Sequence, residues 1–128
     1  YQKIIKKNYK KKIIIIDRFI DSTIAYQHFG MGLDKKIINY LNKLILKNIK
    51  PDFTFLNIVS MKNLKLRLNL RNNKNRYDNF NLKFYYKIQK GFISMAKNKK
   101  NYMIINSNTN IPQNKRIIIN KINNLLAL

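Results

Sequence analysis

Residues 13–34 read IIIIDRFIDSTIAYQHFGMGLD, and the break after Ile16 governs how the rest of the chain is read. Four β-branched residues in a row, with no polar alternation, are the pattern of a short strand buried on both faces of a parallel sheet. Asp17 and Arg18 end it, because two charges cannot continue into a core. Ligands of open α/β sheets bind beyond the carboxyl ends of the strands. Asp17 and Arg18 therefore stand where chemistry is expected.

Upstream, YQKIIKKNYKKK (residues 1–12) reads as the end of a helix. Downstream, Asp34 can cap a helix over Lys35 to Asn48. Its apolar side is Ile37, Ile38, Leu41, Leu44, Ile45 and Ile49, while Lys35, Lys36, Asn39, Lys43 and Lys47 face away. Pro51-Asp52 breaks that helix, and Phe53 to Val59 reads as a second strand. Ser60 can cap the next helix, running to about Arg71, before a polar gap at Asn72 to Asn75. A long helix is expected from about Phe80 to Lys97, with Phe84, Ile88, Phe92 and Met95 in line. Tyr102 to Ile105 reads as a third strand. Pro112 opens a last helix with Ile117, Ile118, Ile122, Leu125 and Leu126 on its apolar side. Strand and helix alternate, which implies a parallel sheet with helices on both faces. There is no repeat and no linker, so residues 1–128 are read as one domain. With three strands it is an incomplete one.

Composition excludes more than it assigns. The chain has 128 residues, no cysteine and a formal charge of +22. Thiolate metal sites, disulfides and cysteine catalysis are out. The longest aliphatic run is too short for a membrane span and no export signal is visible, so a cytoplasmic protein is expected. The charge would suit a nucleic-acid partner. However, Lys, Asn and Ile make up about half of the residues, well above their ordinary share. All three have AT-rich codons, and the lysines are spread out rather than organised into a recognition motif. Compositional drift is preferred to a nucleic-acid-binding role.

The segment DRFIDSTIAYQHFGMGLD resembles the signature of the thymidylate kinase family: a strand ending in Asp-Arg plus an aromatic or His, a Ser/Thr pair, Ala-Tyr-Gln and a Gly-rich turn. Lys50-Pro51-Asp52-Phe53-Thr54 is similar to the family's entry to its next strand. Arg67, Arg71 and Arg76-Tyr77-Asp78 resemble its arginine-bearing lid, and Phe84 to Phe92 resembles the aromatic and glycine helix that follows. The likeness covers nearly the whole chain. It implies a P-loop nucleoside monophosphate kinase-like fold, here the C-terminal portion, with the N-terminal strand and the P-loop absent.

The same resemblance implies roles. The family transfers the γ-phosphate of ATP to dTMP, giving dTDP for dTTP biosynthesis, with Mg2+ accompanying the ATP, and works as a homodimer. Arg18 would bind the dTMP phosphate, for which a guanidinium fork is suited. Asp17 would organise the magnesium–phosphate centre through water. Ser22 and Thr23 belong to the thymidylate pocket, Thr23 hydrogen-bonding the base. Tyr26 would lie against the sugar and penalise a ribose hydroxyl, and Gln27 would complete the pocket. Arg71 and Arg76, with Arg67, would close over the transferring phosphate. The acceptor is already an ionised oxygen, so positioning and electrostatics carry the rate. Read singly, Asp17 and Arg18 also suit a structural ion pair, Tyr26 and Phe29 core aromatics, and the arginines a solvated helix face. His28 is assigned no role.

Some family features are not in these residues. The glycines are Gly30, Gly32 and Gly91, and none precedes Lys-Ser or Lys-Thr, so the phosphate-cradling loop is missing. So are an upstream aromatic and arginine that hold thymine. Asn57, Asn75 and Asn106 stand where the family has Asp, and Met31 where it has Arg. Efficient phosphoryl transfer by this chain alone is not expected. The alternatives to a truncated kinase are a decayed remnant, one half of a split enzyme, or a basic nucleic-acid-binding module.

Overall fold

A computed structural model describes residues 2–9, 11–47, 49–72 and 80–127. The elements are helices α1 (Gln2–Asn8), α2 (Ile20–Thr23), a π-helix (Ile24–Gly30) and α3 (Lys35–Leu46), then strand β1 (Thr54–Ile58), helices α4 (Met61–Asn69) and α5 (Leu82–Ala96), strand β2 (Tyr102–Asn106) and helix α6 (Ile111–Leu126). β1 and β2 pair in parallel, Thr54 opposite Tyr102 and Ile58 opposite Asn106. Leu56 and Ile105 are the buried centres of the two strands. This is an α/β fold with a parallel sheet, as the alternation implies.

Helix starts follow their capping residues. The Asp34 carboxylate accepts from the Lys36 N–H at 2.7 Å, and Ser60 Oγ accepts from the Asn63 N–H at 3.3 Å. Both caps are legible beforehand. Asn81 and Asn110 do the same for α5 and α6, accepting from Phe84 and Gln113. Pro112 lies in the first turn of α6, where its missing N–H leaves nothing unbonded.

The tetra-isoleucine run departs from expectation. Residues 13–16 join no ladder, and the sheet has two strands among the described residues rather than three. Ile13 is 67% exposed and Ile15 87%, while Ile14 and Ile16 are half-buried. β-propensity is realised only through cross-strand partners, and β1 and β2 partner each other. Asp17 and Arg18 therefore end an extended segment, not a paired strand. Arg18 has φ +62°, a left-handed conformation costing on the order of 1 kcal/mol for a side chain with a Cβ, and α2 begins two residues later.

The helix from Ile20 to Gly30 is the element that sequence patterning did not delimit. Its second part closes with a wide turn, the Met31 N–H reaching the Tyr26 carbonyl at 3.0 Å and the Leu33 N–H the Gln27 carbonyl at 2.9 Å. A fully buried Ala25 packs with Phe84 and Ile88 of α5, ringed by Tyr26, Phe92 and Met95. The two helices approach through glycines. A Cβ at Gly91 would lie 2.5 Å from the Phe29 ring, and one at Gly30 would lie 2.7 Å from the Phe84 ring. α3 buries only Ile38 and Leu46, and Ile37, Leu41, Leu44 and Ile45 remain about half exposed.

One side-chain pair fastens α2 to the sheet. The Tyr102 hydroxyl donates to Asp21 Oδ2 at 2.6 Å, and Thr54 lies opposite Tyr102 across the strand pair. Burial, then the hydrogen bond to Asp21 and its negative charge, push the Tyr102 phenol up to about 12 from its ordinary 10, the Thr54 donor opposing them.

Two outcomes are expected. Gly91→Ala forces the Phe29 ring aside; overpacking of about 1–3 kcal/mol outweighs the ~1 kcal/mol that alanine gains in a helix. Thermal unfolding followed by circular dichroism will show a lower midpoint for Gly91→Ala, and no such loss when it is added to Phe29→Ala. The Tyr102 value in the folded chain lies above its unfolded value. Its contribution is therefore complete below pH 10 and is lost as pH rises from 10 to about 12. Across that window the wild-type midpoint should fall more steeply than that of Tyr102→Phe.

Candidate active site

Asp17, Arg18, Ser22, Thr23, Tyr26 and Gln27 all lie on the turn before α2 or on the helix that follows, so one local element carries them. The Arg18 guanidinium stands over the Tyr26 ring, 4.6 Å from its centroid. A cation in that position is attracted by the ring's negative face, by about 0.5–1 kcal/mol at an exposed site. On its other side Tyr26 meets Phe84 edge-on, with centroids 6.2 Å apart and planes at 76°. The phenol ring thus links an exposed guanidinium to the core.

The remaining positions surround that pair along the sequence. Asp17 and Thr23 are exposed, and Ser22 is half-buried with its N–H on the Phe19 carbonyl at 3.0 Å. Gln27 is half-buried, and its Oε1 is enclosed without a hydrogen-bond donor among the described residues. A buried carbonyl oxygen without a partner is costly, and an N–H from a bound molecule would satisfy it. His28 Nδ1 lies 2.8 Å from the Leu33 carbonyl. A carbonyl can only accept, so this nitrogen carries the proton and the ring holds the Gly30–Gly32 turn closed. Gly32, with φ +82°, makes the reversal.

The arginines separate. Arg67 Nη2 donates to the Ser107 carbonyl at 2.5 Å, bracing α4 against the turn after β2. Arg71 lies exposed just past α4, its N–H on the Leu68 carbonyl at 3.4 Å. Arg76 and Asn75 fall outside the described residues, as does most of the expected polar gap. Met31 is 45% exposed at the end of the π-helix.

At the carboxyl ends of the strands sequence reasoning noted Asn57, Ser60 and Asn106 but not the network that joins the latter two to their neighbours. There Ser107 N–H bonds Ile58 O at 2.8 Å. Asn108 Oδ1 accepts from the Ser60 N–H and Asn63 Nδ2. Asn106 Oδ1 accepts from both the backbone N–H and Nδ2 of Asn108. Gln89 Oε1 takes the Val59 N–H at 3.0 Å. The run Asn106-Ser107-Asn108-Thr109-Asn110 is rich in residues whose side chains bond nearby backbone, which is the signal that marks such a turn. Asn57 is exposed.

Among the described residues no three acidic, histidine or cysteine side chains gather to hold a metal ion, and no helix is long and apolar enough to cross a membrane. Asp17 is the carboxylate nearest Arg18 in the chain.

Similarity to known proteins bears on the same stretch. The Thymidylate kinase family profile matches residues 1–118. The chain is 37% identical over 118 residues to a thymidylate kinase of Wolbachia sp. subsp. Brugia malayi, covering 92% of this chain and 56% of that protein. It is 45% identical over 98 residues to one from Ehrlichia chaffeensis, covering 76% of this chain and 46% of the relative. A crystal structure of thymidylate kinase from Ehrlichia chaffeensis superposes with a TM-score of 0.60 at 35% identity, over 85% of this chain and 48% of that one. The chain thus spans about half the length of the curated relatives it matches. With the profile covering nearly every residue, this chain belongs to the thymidylate kinase family.

Proposed function

We propose that this chain carries the acceptor side of a thymidylate kinase, the reaction being transfer of the ATP γ-phosphate to dTMP to give dTDP. The observation that supports it best is the contact of Arg18 with Tyr26 at 4.6 Å. That contact sets a guanidinium, the natural partner of a phosphate, beside an aromatic ring able to pack on a deoxyribose. The enclosed, unbonded oxygen of Gln27 on the same helix offers an acceptor for a donor group on the nucleotide. Neither feature is required by packing alone.

In this reading Arg18 binds the dTMP phosphate and Ser22, Thr23, Tyr26 and Gln27 line the nucleoside pocket. Arg71 and Arg76 neutralise charge on the transferring group, and Arg67 supports them from its place on the Ser107 carbonyl. Mg2+ normally keeps several waters and takes one or two carboxylates beside substrate phosphates. The exposed Asp17 fits that limited demand, holding the ion through water. The ion would supply charge neutralisation between the phosphates. Membership of the family extends the reading to a cytoplasmic homodimer, and the half-exposed apolar side of α3 is surface that a second copy can cover.

No Gly-rich loop ending in Lys-Ser or Lys-Thr occurs in the 128 residues, so binding of dTMP is the direct test. Equilibrium dialysis against labelled dTMP should detect saturable binding that UMP competes for poorly. Arg18→Ala should weaken it about tenfold or more, the size of a lost charge-assisted hydrogen bond. Equal binding of dTMP and UMP, or of wild type and Arg18→Ala, would count against the proposal. Absence of dTMP binding together with RNA binding that persists at physiological salt would favour a basic nucleic-acid module instead.

A further inference from the structure

The Ile20–Gly30 helix carries most of the residues assigned to dTMP, yet it lies outside the sheet and joins no ladder. Among the described residues two kinds of contact join it to α5 and to the sheet. One is the apolar packing of Ala25, Tyr26 and Phe29 on α5, with Phe29 against Gly91 and Phe84 against Gly30, which fixes the spacing of the two helices. The other is directional: the Tyr102 hydroxyl donates to Asp21 Oδ2 at 2.6 Å. Thr54 and Tyr102 face each other as the first ladder pair of β1 and β2. The backbone of Tyr102 is therefore seated in the ladder from which its hydroxyl reaches Asp21.

Asp21 lies one residue before Ser22 and five before Tyr26, and three after Arg18. Arg18 in turn is bound to Tyr26 through the ring contact at 4.6 Å. This hydrogen bond thus ties the turn from which the proposed dTMP contacts extend directly to the strands, a link that the packing on α5 does not itself make. A short bond to a carboxylate, partly shielded from water, is the strong kind. The Lys99 ammonium over the outer face of the same ring, at 4.8 Å, holds the ring against turning away.

We propose that Tyr102 is a positioning residue for the thymidylate pocket. It touches no substrate. Its hydroxyl, carried on β2, places Asp21 and with it Arg18, Ser22, Thr23 and Tyr26. This inference rests on the dTMP assignment made above for its functional consequence, and on the geometry alone for its structural one.

The test uses the full chain and two measurements, amide hydrogen exchange and equilibrium dialysis with dTMP. Tyr102→Phe should speed exchange at Ile24 to Gln27 several-fold while leaving Leu56 and Ile105 in the strands unchanged, and should weaken dTMP binding about tenfold, as loss of a charge-assisted bond does. Asp21→Asn, whose amide oxygen still accepts the phenol proton, should retain most of the wild-type behaviour, whereas Asp21→Ala should match Tyr102→Phe. Tyr86→Phe, altered at an exposed tyrosine, should change neither readout. If Tyr102→Phe leaves exchange at Ile24 to Gln27 as in wild type, the positioning role is wrong. If exchange rises but dTMP affinity is unchanged, the pocket does not depend on the tie and the role is equally wrong. If the wild-type chain binds no dTMP, it is the functional assignment that fails, and the exchange comparison still decides whether Tyr102 places the helix.

Discussion

The candidate site of this fold depends on how closely one helix can approach another. Phe29 lies over Gly91 and Phe84 over Gly30, each ring occupying the place a Cβ would take. The exchange is reciprocal, with a glycine on each helix receiving a phenylalanine from the other. Because interiors pack at crystal-like density, neither glycine can gain a methyl without moving a ring, and Phe84 also supports Tyr26. α5 extends the same constraint to the sheet, since its Gln89 carbonyl oxygen bonds the Val59 N–H at the end of β1. Helix, helix and strand are thereby locked in one chain of contacts.

What was readable in the sequence, and what was not, follows from the range of the interactions involved. Asp34 and Ser60 announce their helices because a cap acts within three residues. Thr54–Ile58 and Tyr102–Asn106 are legible because aromatic and β-branched residues cluster between breakers. The tetra-isoleucine run has the same local character and still forms no strand, since a ladder needs a neighbour that local composition cannot supply. The helix from Ile20 to Gly30 was hidden for another reason. Its Asp, Ser and Thr are weak helix formers, and its second half widens into π geometry, which no 3.6-residue period describes.

The candidate site was legible as a set of residue types and not as an arrangement. Arg18, Tyr26 and Gln27 stand out through their order in DRFIDSTIAYQ. Nothing in that order discloses that Arg18 takes a left-handed backbone, that it stacks on Tyr26, or that Asp21 reaches a tyrosine 81 residues away. Such long-range polar contacts leave no periodic trace. Arg67 illustrates the converse: a residue chosen for its charge is bonded to a backbone carbonyl at the turn after β2, so its side chain acts as a brace.

The amides of the turn after β2 sharpen the role of geometry. Asn106 and Asn108 accept hydrogen bonds from neighbouring N–H groups and so shape the turn without adding negative charge to it. With a formal charge of +22, the chain attracts phosphates of every kind, over a Debye length of about 8 Å at physiological salt. Long-range attraction of that sort raises encounter rates but does not distinguish one polyanion from another. Discrimination has to arise at contact, where the direction of a guanidinium, the face of a ring and a single enclosed carbonyl oxygen differ from one ligand to the next. The abundance of lysine therefore makes the placement of Arg18, Tyr26 and Gln27 more consequential. An excess of unoriented charge draws anions without distinguishing them, whereas side chains on a held helix can discriminate.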